Sequence, residues 1–420
     1  MLDIKFIREN PDLIKEAARK KHIDFDVTKL LSIDKERLSL MSEIETMRAK
    51  QNQVSGDIVR ATDHGVKLTL VTSMKVVKEE MQKKEEVLAG IMKTWRDLML
   101  AVPNIPDFSV PEGASDIENV EYKTWGELPI FSFTPKHHLD IMKTLDMADA
   151  ERGVKVAGFR GYFLKNDGLL LSMAIWQFSI DLLRRKGYIP MGTPSVVKSE
   201  PLFGTGYLPQ GAEDLYKTQD DTYLSGTAEV PTMAYYMDEV LNISELPKKF
   251  VSFSPCYRRE AGSHGKDTKG LIRLHEFFKV EQVIISEASH EESVRLHEEL
   301  LENAEEIMQA MNIPYRVVIN CGGDLGQGQV KKYDIEAWVP SENKYRETHS
   351  ISYFHDFQNR RFNIKYKDAE GKPRFAHSLN GTAVATPRLL VSIIENYQNE
   401  DGSVRVPDVL QKYIGKEIIH

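Results

Sequence analysis

Arg258, Glu260, Arg273, His275, Phe277, Lys279 and Glu281 crowd into residues 255–283 with a spacing of two along each half. In extended chain, alternate residues share a face. Arg258 and Glu260 therefore point one way, and on the return Arg273, His275, Phe277, Lys279 and Glu281 do the same. The stretch reads as two strands. The incoming one ends over residues 257–260. A loop, 261–270, holds three glycines and two lysines. The outgoing strand starts at Leu271. Its other face carries Ile272, Leu274, Phe278 and Val280, interrupted by Glu276. Guanidinium groups suit phosphates and carboxylates, an aromatic ring suits a planar base, and acids suit an amine. A charged, solvated hairpin is the competing reading of this stretch taken by itself.

Three further groups carry similar chemistry. In Ser225-Gly226-Thr227-Ala228-Glu229 small residues allow close approach, and Thr227 and Glu229 can share a strand face. A carboxylate there suits an ammonium and a hydroxyl suits a small polar ligand; taken by itself the stretch reads as a helix N-cap. In residues 345–352, Glu347 and Ser350 are oxygen donors acceptable to a hard cation. Mg²⁺ commonly takes one carboxylate together with phosphate oxygens and water. In residues 377–388, Thr386 suits an N-cap and Pro387 a first helical position. Arg388 then falls at a helix N-terminus, where anions are favoured.

The elements that position these groups follow from periodicity. Residues 1–24 read as a helix broken before Pro11, with Arg19-Lys20-Lys21-His22 as a solvated basic end. Residues 29–60 carry a 4-3 seam through Ile33, Arg37, Leu40, Ile44, Met47, Gln51, Val54 and Ile58. Residues 67–102 carry another through Leu70, Met74, Val77, Met81, Lys84, Leu88, Ile91, Trp95, Leu98 and Val102. Sustained heptads with polar outer faces predict an antiparallel coiled-coil hairpin, about 45–50 Å long. Arg48, Lys50, Arg60, Lys67, Lys75, Lys78 and Lys93 on it could meet phosphates, although acids are interleaved.

Pro103 and Pro106 end the second helix, and the Pro-, Gly- and acid-rich stretch to Glu121 reads as a linker. A boundary falls near residue 104. Beyond it the pattern mixes helices, at 174–186, 288–311 and a last one from about 387 to 397, with strands at 249–257, 271–287, 314–320, 330–340 and 350–355. Hairpin connections predict a mainly antiparallel sheet flanked by helices, so the fold class is α+β with an N-terminal helical arm.

Composition narrows the rest. The 420 residues are 41% hydrophobic and 28% charged, as in ordinary globular proteins, and the net charge of −8 announces no nucleic-acid partner globally. Cys256 and Cys321 are the two cysteines, far apart, which disfavours a cysteine-built zinc site and a disulfide framework. With no secretory segment and no long apolar run, the expectation is a cytoplasmic protein without a membrane partner.

Taken together, these stretches resemble the class II aminoacyl-tRNA synthetases, and within them the seryl branch. Residues 187–194, ending at Pro194, are similar to the family's first motif (about 176–209), which implies a homodimer interface. Residues 258–281 are similar to the second (about 250–283). Residues 379–397 match the third (about 376–398), whose arginine falls on Arg388. Thr227-Ala228-Glu229, the Glu347-x-x-Ser350 pair and the N-terminal hairpin match the seryl branch. The resemblance covers essentially the whole chain, with a tRNA-binding domain at 1–104 and a catalytic domain at 105–420.

The resemblance implies that L-serine is activated with ATP to seryl-adenylate and passed to tRNA(Ser), with tRNA(Sec) left open as a second acceptor. It implies catalytic roles for Arg258, Arg273 and Arg388. Arg258 would bridge the α-phosphate and the serine carboxylate. Glu260 would meet the adenine amino group, Phe277 would stack on the base with Arg388 on its other face, and Leu274 would line the nucleotide site by its backbone. Arg273 would hold the outer phosphates. Glu347 and Ser350 would ligate Mg²⁺; zinc is not expected. Thr227, Glu229, Arg258, Glu281, Asn380 and Thr382 would bind serine. The chain departs from the family pattern at Glu276, His349, Tyr353 and Thr382. Two rivals stand beside this reading: an adenylating paralogue that loads another carrier, and an inactive coiled-coil RNA-binding protein.

Overall fold

A computed structural model describes residues 1–262, 265, 267 and 269–420. Ser263, His264, Lys266 and Thr268, which include one of the two loop lysines, lie outside the described residues. The chain forms two compact units: Met1–Arg19 with Ile23–Pro103, and Lys20–His22 with Asn104–His420. No helix among the described residues is long and apolar enough to cross a membrane.

The first unit is helical. Helices α1 (Ile4–Glu9) and α2 (Pro11–Lys20) meet at the break before Pro11, and α3 (Val27–Arg60) and α4 (His64–Ala101) form the hairpin. Asp3, Asp26 and Asp63 cap helix starts, each carboxylate accepting a backbone N–H of the first turn. The heptad residues read from the sequence are all withdrawn from solvent along both helices, joined near the base by Leu30, Asp34 and Met99. Across the seam Arg48 pairs with Glu85 at 2.7 Å and Lys84 with Glu43 at 2.6 Å. Arg37, a charged residue in an apolar seam, is explained by Asp34. That carboxylate is 1% exposed and takes Arg8, Arg37 and the Trp95 indole N–H at 2.7, 2.8 and 2.9 Å. A buried charge held by three donors sets the register of α3 on α4 at this level.

The second unit is built on one eight-stranded sheet. Its strands are β1 (Val120–Trp125), β2 (Ile189–Gly192), β3 (Lys248–Tyr257), β4 (Glu276–Ser286), β5 (Tyr315–Ile319), β6 (Lys331–Val339), β7 (Lys344–His355) and β8 (His377–Thr386), in the order β1-β5-β6-β7-β8-β4-β3-β2. All pairs are antiparallel except β2 with β3. Helices α5 (Asn166–Arg185), α7 (His290–Ala310) and α8 (Arg388–Asn396) contribute to the main apolar core through Ile175, Leu182, Leu300, Ile307, Leu390 and Ile394; between α5 and α7 in the chain comes the short α6 (Glu229–Ala234).

Several boundaries differ from the sequence reading, each for a physical reason. The strands of the opening hairpin end at Tyr257 and resume at Glu276, so 258–260 and 271–275 are irregular. Glu260 itself has a left-handed backbone (φ 54°). Thr227 and Glu229 share no strand; Glu229 opens α6, and its N–H donates to the Thr227 hydroxyl at 3.2 Å. Thr386 ends β8 rather than capping a helix. Pro387 takes the cap position and Arg388 is the first helical residue. That helix is followed by another, Asp408–Ile414. α5 starts eight residues before the predicted Ala174, and β7 starts at Lys344 rather than 350.

Residues 104–119 are no free linker. Asn104 is buried and its amide donates to the carbonyls of Gly328 and Phe354, while the Gly322 and Gly323 N–H groups donate to Pro111 and Gly113. Nor is the basic end of α2 solvated at Lys21. Its ammonium is buried and donates to three carbonyls, those of Gly326, Gln327 and Gln329. Burial drives its pKa well below the ordinary lysine range.

Candidate active site

A cavity of about 320 Å³ opens over β4, β7 and β8. β4 supplies Phe277, Lys279 and Glu281 from one face, as period-2 alternation requires. Phe278 and Val280, on the opposite face, pack against Trp176 and into the core.

β7 and β8 need an additional device. Glu347 and Ser350 are three apart, so a regular strand would point them to opposite sides. In the β6–β7 ladder Ile335 faces His349 and Glu336 faces Glu347, which leaves Thr348 as an extra residue. This bulge returns Ser350 to the face of Glu347, and both line the cavity. β8 repeats the device: Val280 faces Val384 and Glu281 faces Thr382, with Ala383 extra. Asn380, Thr382 and Ala385 then all reach the cavity. His349 turns the other way. It is buried, with Nδ1 on the Thr348 hydroxyl and Nε2 on the Ala383 carbonyl, and burial lowers its pKa to about 4. It thus ties together Thr348 and Ala383, the extra residues of the two bulges. Tyr353 is likewise interior, its hydroxyl donating to Asp107 at 3.0 Å, and Glu276 is exposed.

The acids gather at one end. Glu229 accepts from the Gln358 amide at 2.7 Å and from the Tyr207 hydroxyl at 3.2 Å. Burial, reinforced by the neighbouring charge of Glu281, raises its pKa to about 7. Glu281 is also raised by burial, against the opposing pull of its ion-pair partner Lys279 and of Arg258. The Asn380 Nδ2 is buried without a hydrogen-bond partner among the described residues. An unpaired donor beside two hard-to-ionise carboxylates is costly unless a polar ligand completes it.

Arginines occupy the other parts. Arg258 lies 5.2 Å over the Phe277 ring, its Nε donating to the Gly226 carbonyl at 3.4 Å. Arg388 donates to the carbonyls of Ile272 (2.9 Å) and Glu347 (3.1 Å) and lies 3.4 Å from the Glu347 carboxylate. Desolvation at the cavity floor works against ionisation of Glu347, yet Arg388, Lys332 and Arg258 hold it below the usual carboxylate range. Next to it burial raises Asp334 to about 6, and its Oδ1 has no hydrogen-bond partner among the described residues. The hard oxygens of Glu347 and Ser350 in the cavity, with the unpartnered Asp334 Oδ1 behind them, fit a small divalent cation.

Of the residues singled out in the sequence, Glu229, Arg258, Glu260, Leu274, Phe277, Glu281, Glu347, Ser350, Asn380, Thr382 and Arg388 line the cavity. Arg273 and Thr227 do not. Arg273 stands behind the wall, its guanidinium on Glu260 at 2.5 Å and on Asp267 at 3.5 Å. Thr227 is 1% exposed and is used at the start of α6. His275 also turns aside, its Nδ1 on the Arg258 carbonyl. Sequence reasoning missed Tyr207, Gln358 and the wall 326–329. The Gly326-Gln-Gly-Gln run was the available signal for the last of these. Gly328 must lack a Cβ, which would stand 2.7 Å from the Phe357 ring.

Known proteins are similar to this chain over its whole length. The tRNA synthetase class II core domain (G, H, P, S and T) matches residues 214–397, and the seryl-tRNA synthetase N-terminal domain matches residues 1–106. The chain is 45% identical over 416 residues to a serine–tRNA ligase of Deinococcus radiodurans, covering 99% of this chain and 98% of that one. It is 43% identical to a serine–tRNA ligase of Carboxydothermus hydrogenoformans, each covered in full. Among solved structures, seryl-tRNA synthetase from Pyrococcus horikoshii complexed with ATP superposes with a TM-score of 0.91 at 37% identity, over 100% of this chain and 99% of that one. The cytoplasmic serine–tRNA ligase of Naegleria fowleri in complex with AMP gives 0.87 at 31%, over 100% and 98%.

Proposed function

This chain belongs to the seryl-tRNA synthetase family, and from that membership we propose that its cavity condenses L-serine with ATP and that its helical hairpin presents tRNA(Ser) for transfer. The observation that carries the residue assignment is the meeting, in one cavity, of a carboxylate end (Glu229, Glu281) with Arg258 and the Arg388–Glu347 pair.

The serine ammonium pairs with Glu229 and Glu281, and its side chain meets Thr382 and the unpaired amide of Asn380. Alanine would leave these buried groups unsatisfied, which supplies selectivity. A serine carboxylate oxygen attacks the α-phosphorus of ATP and pyrophosphate leaves. Arg258 neutralises charge between carboxylate and α-phosphate, Phe277 and Glu260 hold the base, Leu274 lines it, and Arg388 meets the outer phosphates. Arg273 would exchange Asp267 for phosphate oxygens. Glu347 and Ser350, with Asp334 behind them, would hold Mg²⁺, which when bound neutralises phosphate charge. A terminal ribose hydroxyl of tRNA then attacks the seryl carbonyl and AMP leaves. Positioning and fixed charge accomplish this without an enzyme nucleophile. A homodimer through the first-motif segment is supported by exposed apolar residues on α5 (Leu169, Leu170, Met173) and on the edge strand β2 (Ile189), close to Pro194 in the chain.

Serine-dependent exchange of pyrophosphate into ATP tests the first half. Its pH dependence follows from Glu229. A carboxyl raised to about 7 is protonated below that pH and cannot pair an ammonium. We expect kcat/KM for serine to rise as pH passes through about 7 and then level, because this ratio reports the free enzyme. Glu229→Gln should lower kcat/KM by about a hundredfold and flatten that limb. A limb that persists in Glu229→Gln would assign it to another group.

A further inference from the structure

We propose that His138 and Glu395, neither of which touches the cavity, form a buried positioning pair that sets the nucleotide-facing segment 270–274; the proposal rests on the adenylation reading above. His138 opens the short helix His138–Thr144, and both side chains are fully buried. The backbone N–H of Leu271 donates to His138 Nε2 at 3.2 Å. A ring nitrogen that accepts from an amide carries no proton, so the proton is on Nδ1. Nδ1–H then donates to Glu395 Oε1 at 2.7 Å. Glu395 is itself fixed, since it also accepts the backbone N–H of His138 at 3.0 Å and of Ser341 at 2.9 Å.

Glu395 and Arg388 lie seven residues apart on α8, two helical turns, and so project from one side. Arg388 takes the carbonyl of Ile272. One helix therefore grips the segment twice, through His138 at the Leu271 N–H and through Arg388 at the Ile272 C=O. Between those grips and the cavity stand Leu271, Ile272 and Leu274, with Arg273 directed to Glu260. Gly270 makes room for the imidazole. It has φ +97°, and a Cβ there would stand 2.8 Å from His138 Nε2.

The same residues invite a metal reading, because His137, His138 and Glu395 each place a ligand atom within 4.8 Å of the others. The hydrogen bonds argue against it. Both His138 nitrogens are engaged, and His137 Nδ1 accepts the Leu139 N–H at 3.2 Å.

The test is a steady-state comparison of pyrophosphate exchange in purified full-length variants, titrating ATP and serine separately, with thermal midpoints measured in parallel. Glu395→Leu removes the acceptor of Nδ1–H and frees the ring to turn away from the Leu271 N–H. His138→Asn keeps the contact to Glu395 and loses the acceptor. Both should raise the ATP KM, or lower kcat, by about tenfold or more, with the serine KM changed less than about twofold. His138→Gln, whose amide can accept from Leu271 and donate to Glu395, should recover most of the loss. Gly270→Ala crowds the ring from the other side and should reproduce the defect even where a buried-pair variant fails to fold. The proposal is overturned if these variants leave ATP parameters unchanged, if only the serine KM moves, or if, with Mg²⁺ kept in excess, added Zn²⁺ or a zinc-selective chelator controls wild-type activity. Absence of serine-dependent exchange in the wild-type chain would instead sink the function reading; ATP affinity by calorimetry would still report on the segment.

Discussion

Arg258→Ala is expected to lower serine-dependent pyrophosphate exchange by about a hundred- to a thousandfold, the range found when a preorganised charge aimed at developing negative charge is removed. The expectation follows from where the side chain is held. β3 ends at Tyr257, so Arg258 leaves the sheet at the cavity rim and its guanidinium lies over Phe277. It stands in the same cavity as the raised carboxylates Glu229 and Glu281 and as Arg388. A serine whose ammonium sits on those acids must turn its carboxylate toward Arg258. The loss should fall mainly on kcat, with a modest rise in the serine KM. Arg258→Lys should recover little, since an ammonium cannot bridge two anions with a planar fork. Full exchange in Arg258→Ala would withdraw the residue from the reaction.

The second large effect concerns the hairpin. Glu43–Lys84 and Arg48–Glu85 show which levels of α3 and α4 face each other. Replacing residues 47–81 by a short Gly-Ser turn therefore removes the distal arm and keeps the buried Asp34–Arg37–Trp95 seat. We expect pyrophosphate exchange within about twofold of wild type, because the cavity lies wholly in the second unit. Charging of tRNA(Ser) should fall by about a hundredfold or more. An arm that tracks an RNA backbone supplies charge contacts that dominate affinity and depend steeply on salt. Charging that survives the truncation would mean that the arm is not the tRNA reader.

These predictions draw on features of unequal visibility in the sequence. The hairpin was readable because burial follows the heptad residue by residue, and even Arg37 proved to belong in its seam once Asp34 was seen beneath it. The strand face of Phe277, Lys279 and Glu281 was readable for the same reason, a period matching its backbone. Residues 271–275 show alternation without being a strand. Their conformation is set by His138 and Arg388, more than a hundred positions away in the chain, and no local pattern reports that. The Glu347–Ser350 pair was named as oxygen donors, but the Thr348 bulge that lets both face the cavity depends on a one-residue slip against β6. Gln358 and Lys21 were invisible for another reason. Each is a polar residue whose role comes only from burial beside distant acceptors, Glu229 in one case and the 326–329 carbonyls in the other.

Charging of total tRNA by the purified full-length chain, with each amino acid supplied in turn, tests the central claim most directly. The account predicts ATP-dependent esterification of serine alone, confined to serine-accepting tRNA. Charging with another amino acid, or brisk serine-dependent pyrophosphate exchange without esterification of any tRNA, would contradict it.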